Sequence, residues 1–198
     1  GSTSQAYSSA FLGETALEAG KSEPVFDADA MTLNAYLGID GISPMLEDCK
    51  KYGKGAFILV KTSNPSSAEL QDQEIGGRTL YTVVGDLLAE LSKDTVGAFG
   101  YSRIGAVVGA TYPDELRRLR QRLRHTFFLV PGYGAQGGGA SDAAHAFDNR
   151  GGGAVVNSSR AVICAWKKTG NSGRDYAEAA RSEALKMRDD LRSVVCFR

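Results

Sequence analysis

"FFLVPGYGAQGGG" (residues 127–139) runs from a short apolar segment straight into a stretch where five of the eight residues 132–139 are glycine. A continuous run of aromatic and branched residues this short fits a strand buried on both faces, as in a parallel sheet. Glycines just beyond such a strand let the main chain turn with positive φ and bring backbone N–H groups close to a ligand, as phosphate sites require. Gln136 stands alone among them as a neutral side-chain donor. A plain tight turn explains any one of these glycines taken singly.

The same grammar recurs outward from this stretch. Apolar runs at 30–36, 55–62, 104–110, 126–130 and 153–157 are each followed by turn residues and then by helical spacing. Leu116, Leu119 and Leu123 make one apolar stripe within 114–124, Pro113 suits a first turn, and the five arginines of that segment read as a solvated face rather than a nucleic-acid stripe. Helical spacing also marks 3–19, with Thr3 as its N-cap, together with 42–52, 77–93 and a long closing helix over 176–195. A helix followed by about five strand-helix units is an α/β fold on a parallel sheet. An open doubly wound sheet binds ligands at one switch point, whereas a (β/α)8 TIM barrel binds them on the loops at the carboxyl ends of its strands. Here nearly every strand, not one, is followed by a loop of Gly, Ser, Asn, Pro or Arg, which favours the barrel. A complete barrel takes about 250 residues and eight strands. Residues 1–198 therefore read as a single domain, the C-terminal part of a barrel with about its last five βα units.

The totals narrow the function. With 198 residues and 42% hydrophobic content the chain can bury a sizeable core, and 23 basic residues balance 23 acidic ones, so no global field draws it to nucleic acid or anionic lipid. The cysteines, Cys49, Cys164 and Cys196, are too scattered for a disulfide framework or a zinc site and read as small buried or partly buried hydrophobes in a reducing, cytoplasmic compartment. Neither a membrane span nor a signal peptide is legible. Among polar residues, Arg160 follows the strand introduced by Gly151-Gly152-Gly153, where the late loops of a barrel hold phosphate, and its guanidinium matches phosphate as a fork. Ser63, in Thr62-Ser63-Asn64-Pro65, stands where a hydroxyl can read the edge of a heterocyclic base, although an ordinary Asn-Pro turn is the simpler account of the string taken alone. Alternation does not say whether Lys61 points into the barrel or toward a helix. His125 and His145 lack evident partners.

Five strings in order, "NAYLGIDGISPMLE" (34–47), "VKTSNP" (60–65), "VVGATYPDEL" (107–116), "PGYGAQGG" (131–138) and "VVNSSRAV" (155–162), resemble the orotidine 5′-phosphate decarboxylases, in their longer-chain bacterial-type branch. The resemblance runs across essentially the whole chain. It implies a homodimeric (β/α)8 barrel that converts orotidine 5′-monophosphate to uridine 5′-monophosphate (UMP), without metal or organic cofactor, in de novo pyrimidine synthesis. Gln136 and Arg160 would then grip the 5′-phosphate, helped by backbone amides near Ser159. Ser63 would meet the pyrimidine edge, and Pro131 and Tyr133 would shape the loop above it. Thr3 would reach the ribose bound to the neighbouring subunit, and Asn34 would face the same mouth. The resemblance places the catalytic charges in an Asp-x-Lys-x-x-Asp motif before the segment that begins "GSTSQAY", together with a further lysine. This implies a chain lacking the N-terminal third, with no catalytic residue of its own and inactive alone. Another phosphate-sugar lyase or isomerase of the same barrel type, and a non-catalytic nucleotide-phosphate-binding or assembly module, are the alternatives.

Overall fold

Each of the five apolar runs forms a strand. In the computed structural model, which describes residues 1–134 and 137–196, they are β1 (Ala30–Leu33), β2 (Gly55–Lys61), β3 (Ile104–Val108), β4 (Phe128–Val130) and β5 (Ala154–Val156). All are parallel, and each pairs with the next in chain order. A doubly wound sheet reverses its strand order at a switch point; this one never does, and unbroken order is how a barrel wall is laid down. Among the described residues β1 and β5 each have a single neighbouring strand.

Helix α1 (Ser2–Phe11) precedes the sheet, and α2 (Ile39–Tyr52) links β1 to β2. The short α3 (Ala68–Gln71) and α4 (Leu80–Ser92) link β2 to β3, α5 (Pro113–Arg122) links β3 to β4, and α6 (Ala140–Ala144) links β4 to β5. The chain continues through α7 (Ser159–Ile163) to α8 (Tyr176–Val194). No described helix is long and apolar enough to cross a membrane. The core lies between the sheet and its helices: Ala56, Ile58 and Val60 of β2 and Val108 of β3 join Ile42 and Met45 of α2, Leu88 of α4 and Leu116 and Leu119 of α5, all buried.

Three expectations are corrected. The first helix stops at Phe11, not at residue 19, and Thr3 lies inside it on an exposed position rather than capping it. A side chain at Gly13 would come within 3.1 Å of Asp48 and Tyr52, so helix α2 presses on the chain just where α1 ends. Beyond it, Thr15–Ala16 and Ser22–Glu23 pair as a short antiparallel ladder. Cys196 is exposed, while Cys49 is buried and Cys164 half-buried.

The third correction concerns α5. Arg117, Arg118 and Arg122 face solvent, but Arg120 is buried with 8% exposure. It stands four residues after Leu116, and residues at that spacing share a helix face. Its guanidinium donates to the carbonyls of Leu123, Thr126 (2.8 Å), Gly153 (3.1 Å) and Ala146 (3.4 Å) and lies 4.1 Å from the centroid of the Phe128 ring. Burial pushes it down to about 10. These contacts tie the amino ends of β4 and β5 together, at the opposite end of the strands from the loops that follow them.

Asp148 reinforces the same end. It accepts from the Tyr101 hydroxyl (2.5 Å) and from the Arg150 and Gly152 amides (2.8 and 2.9 Å). Burial pushes its carboxyl up, but these bonds outweigh it and hold the group at about 2. A carboxyl depressed on folding stabilises the fold above its unfolded value near 4 and ceases to do so as pH falls through 2. Wild-type stability is therefore expected to fall by about 2 kcal/mol more than that of Asp148→Asn between about pH 4 and pH 2. Urea unfolding at a series of pH values checks this, and parallel curves would refute it.

Candidate functional site

The loops that leave the carboxyl ends of β2, β4 and β5 converge on one cleft of about 200 Å³. Ser63 enters it from the first loop, Pro131, Gly132 and Tyr133 from the second, and 157–161 from the third. The glycines of the opening stretch make this convergence possible. Gly132, Gly134 and Gly137 have φ of 95°, 76° and 100°, a region side chains disfavour. A Cβ at Gly138 would stand 2.9 Å from both Ala110 and the Gly132 carbonyl, so the returning loop lies directly on the end of β3. Gly109 does the same for the neighbouring loop, because a Cβ there would come within 2.8–2.9 Å of Ser63.

The loops are also tied to one another. The Ser158 hydroxyl donates to the Tyr133 carbonyl at 3.1 Å, and the Ala110 amide donates to the Pro131 carbonyl at 2.8 Å. Tyr133 reaches outward, where its hydroxyl donates to Asp190 of α8 at 2.5 Å, and burial together with this bond pushes it up to about 12. Asp190 thus fixes a residue of the cleft, at a distance of 57 positions in sequence that no local pattern conveys. Asn157 went unassigned in the sequence although it belongs to the "VVNSSRAV" string. Its amide donates to Val130, while its Oδ1 lies buried beside the cleft and has no hydrogen-bond partner among the described residues.

Of the residues singled out in the sequence, Ser63, Pro131, Tyr133, Ser159 and Arg160 are brought together here, with Arg160 and Ser159 exposed. Gln136 lies outside the described residues. Thr3 does not line the cleft. Asn34 borders a separate, mainly apolar hollow with Tyr36 and Leu70, and its Oδ1 accepts the Tyr36 amide at 3.0 Å, the turn that ends β1. Lys61 is also placed. Leu59 pairs with Val107 and Lys61 with Val108, so Val60 is an extra residue in the ladder. That bulge sends Lys61 to the helix side, wholly buried, with Nζ 2.5 Å from Asp72 and 4.4 Å from the centroid of the Tyr112 ring. Among the described residues no group of His, Cys, Asp or Glu is placed to hold a metal ion.

A chain-ordered parallel sheet with a cleft on its late loops matches known proteins. The sequence profile described as "Orotidine 5'-phosphate decarboxylase / HUMPS family" matches residues 12–174. This chain belongs to that family. Among its orotidine 5′-phosphate decarboxylase relatives, the protein from Caldicellulosiruptor bescii is 45% identical over 185 residues, 93% of this chain and 60% of the relative. The one from Rhodopirellula baltica is 43% identical over 196 residues, 97% of this chain and 64% of the relative. The structure of the OMP decarboxylase of Leishmania donovani superposes with a TM-score of 0.65 at 28% identity, covering 96% of this chain and 64% of that one. The chain thus spans 60–64% of the length of these decarboxylases.

Proposed function

We propose that this chain is the nucleotide-gripping part of an orotidine 5′-phosphate decarboxylase, acting on orotidine 5′-monophosphate and releasing UMP in de novo pyrimidine synthesis. The observation that carries the reading is the meeting of Ser63 with Arg160 in one cleft, on loops from β2 and β5 that have two strands between them, in a member of this family. In this reading Arg160 binds the 5′-phosphate as a charged fork, with Gln136 and the chain around Ser159 completing the cradle. Ser63 meets the pyrimidine edge. Pro131 and Tyr133 hold the loop above it, and Thr3 serves the ribose of a neighbouring subunit in a homodimer.

The chemistry needs no metal or organic cofactor in this account. Carboxylates that repel the substrate's own carboxylate and a lysine that stabilises the carbanion left as CO2 departs, then protonates it, act where the transition state differs from the ground state. The family resemblance assigns those groups to an Asp-x-Lys-x-x-Asp motif, and no such string occurs in the 198 residues. This chain therefore supplies binding energy rather than the bond-breaking charges. Phosphate binding remote from the scissile bond serves the reaction by holding the base in that field and ordering the loops. Titration of the chain with UMP by calorimetry tests the grip: saturable one-site binding that depends on Arg160 is expected, and no binding would end the proposal.

A further inference from the structure

The loop that carries Ser63 has a neck. It leaves β2 at Lys61 and returns at Asp72, where the two side chains form an ion pair at 2.5 Å. One rung inward, the Thr62 amide donates to Gln71 Oε1 at 2.9 Å and Gln71 Nε2 donates to the Thr62 hydroxyl at 2.8 Å. The neighbouring strand braces the same segment: the Gly109 amide donates to the Lys61 carbonyl (2.8 Å) and the Thr111 hydroxyl to the Ser63 carbonyl (3.3 Å). Lys61 is 0% exposed and packs on the rings of Tyr112 and Tyr81, whereas the Asp72 side chain is 36% exposed. An ammonium taken wholly out of water is costly unless a fixed anion compensates it, so Asp72 is held where Lys61 holds it.

We propose that Lys61 is a positioning residue: its buried ion pair with Asp72 closes the neck of the 62–72 loop and sets where Ser63 presents its hydroxyl. The inference rests on Ser63 being the base contact assigned above. Lys61 touches no ligand in this account and acts through the two rungs of the neck. It governs recognition of the base and leaves the Arg160 phosphate grip, three strands away in the sheet, untouched.

Lys61→Met keeps the volume of the side chain and leaves Asp72 solvated, so it opens the neck without burying a lone charge. The expected result is about a tenfold loss of affinity for UMP, the worth of one misplaced hydrogen bond, with less than about a twofold change for ribose 5-phosphate, which has no base. In the ligand-free chain, hydrogen exchange at the Thr62 amide is expected to accelerate while the β3 amides stay protected. Gln71→Leu, which removes the inner rung from a half-buried position, should repeat both effects more weakly and serves if Lys61→Met does not fold. Equal losses for the two ligands, unchanged affinity for both, or unchanged exchange at Thr62 would overturn the proposal. Failure of the unmodified chain to bind either ligand counts against the functional reading instead, and the exchange experiment then decides the neck on its own.

Discussion

Arg160→Ala is expected to weaken UMP binding by about 10- to 100-fold, about 1.5–3 kcal/mol, the range for a charge-assisted contact to phosphate. The same change should leave stability within about 0.5 kcal/mol, because Arg160 is exposed and, among the described residues, its guanidinium has no protein partner to lose. Arg160→Lys should fall between, since an ammonium keeps the charge but not the fork. Calorimetric titration of both variants, paired with urea unfolding, checks the claim. Unchanged UMP affinity in Arg160→Ala would remove Arg160 from the site, and a large stability loss would make it a structural residue.

Arg120→Ala is expected to do the reverse. It removes the buried side-chain donor from four carbonyls on three segments of chain, of which those of Leu123 and Gly153 keep the Thr126 and Phe128 amides while those of Thr126 and Ala146 lose the guanidinium, and it takes the cation off the Phe128 ring. Buried acceptors left without donors cost about 1–3 kcal/mol each before relaxation, so a total loss of about 3–5 kcal/mol is expected, a large share of a domain's stability. Arg117→Ala is the control, because Arg117 is exposed and, among the described residues, pairs only with Asp114 one turn away. Equal unfolding midpoints for the two variants would refute the structural role. The variant that remains folded should still bind UMP, since Arg120 works at the amino ends of the strands and the cleft lies at their carboxyl ends.

That separation explains what the sequence could and could not convey. Short continuous apolar runs made all five strands legible, although only β3 is buried throughout while Thr32 of β1 and Val155 of β5 are exposed, and the turn residues behind each conveyed a preference for a barrel. Of the cleft residues, Ser63 and Arg160 were legible because each lies in the loop after a strand, where local order already fixes the end of the sheet it occupies, while Pro131, Tyr133 and Ser159 were named only through the family resemblance. Side-chain direction was less accessible. A single bulge at Val60 decides that Lys61 faces the helices, and nothing in "GAFILVKTSNP" (55–65) announces it. Arg120 did carry a signal, its place on the leucine stripe of α5, but charge outweighed position in the reading. Asn34 was named through the family resemblance with no role fixed, and its Oδ1 accepts the Tyr36 amide in the turn that ends β1. Asp190 meets Tyr133 through packing of the last helix, which periodicity alone does not place.

The division of labour proposed for this chain has one direct test. Release of CO2 from carboxyl-labelled orotidine 5′-monophosphate should be measured with the 198-residue chain alone and with a segment carrying the Asp-x-Lys-x-x-Asp motif supplied to it, UMP binding being followed in both. The account predicts binding in both cases and turnover only when the motif is present. Turnover by the chain alone would contradict it, and so would tight UMP binding with no turnover once the motif is restored, which would mark a non-catalytic nucleotide-binding module.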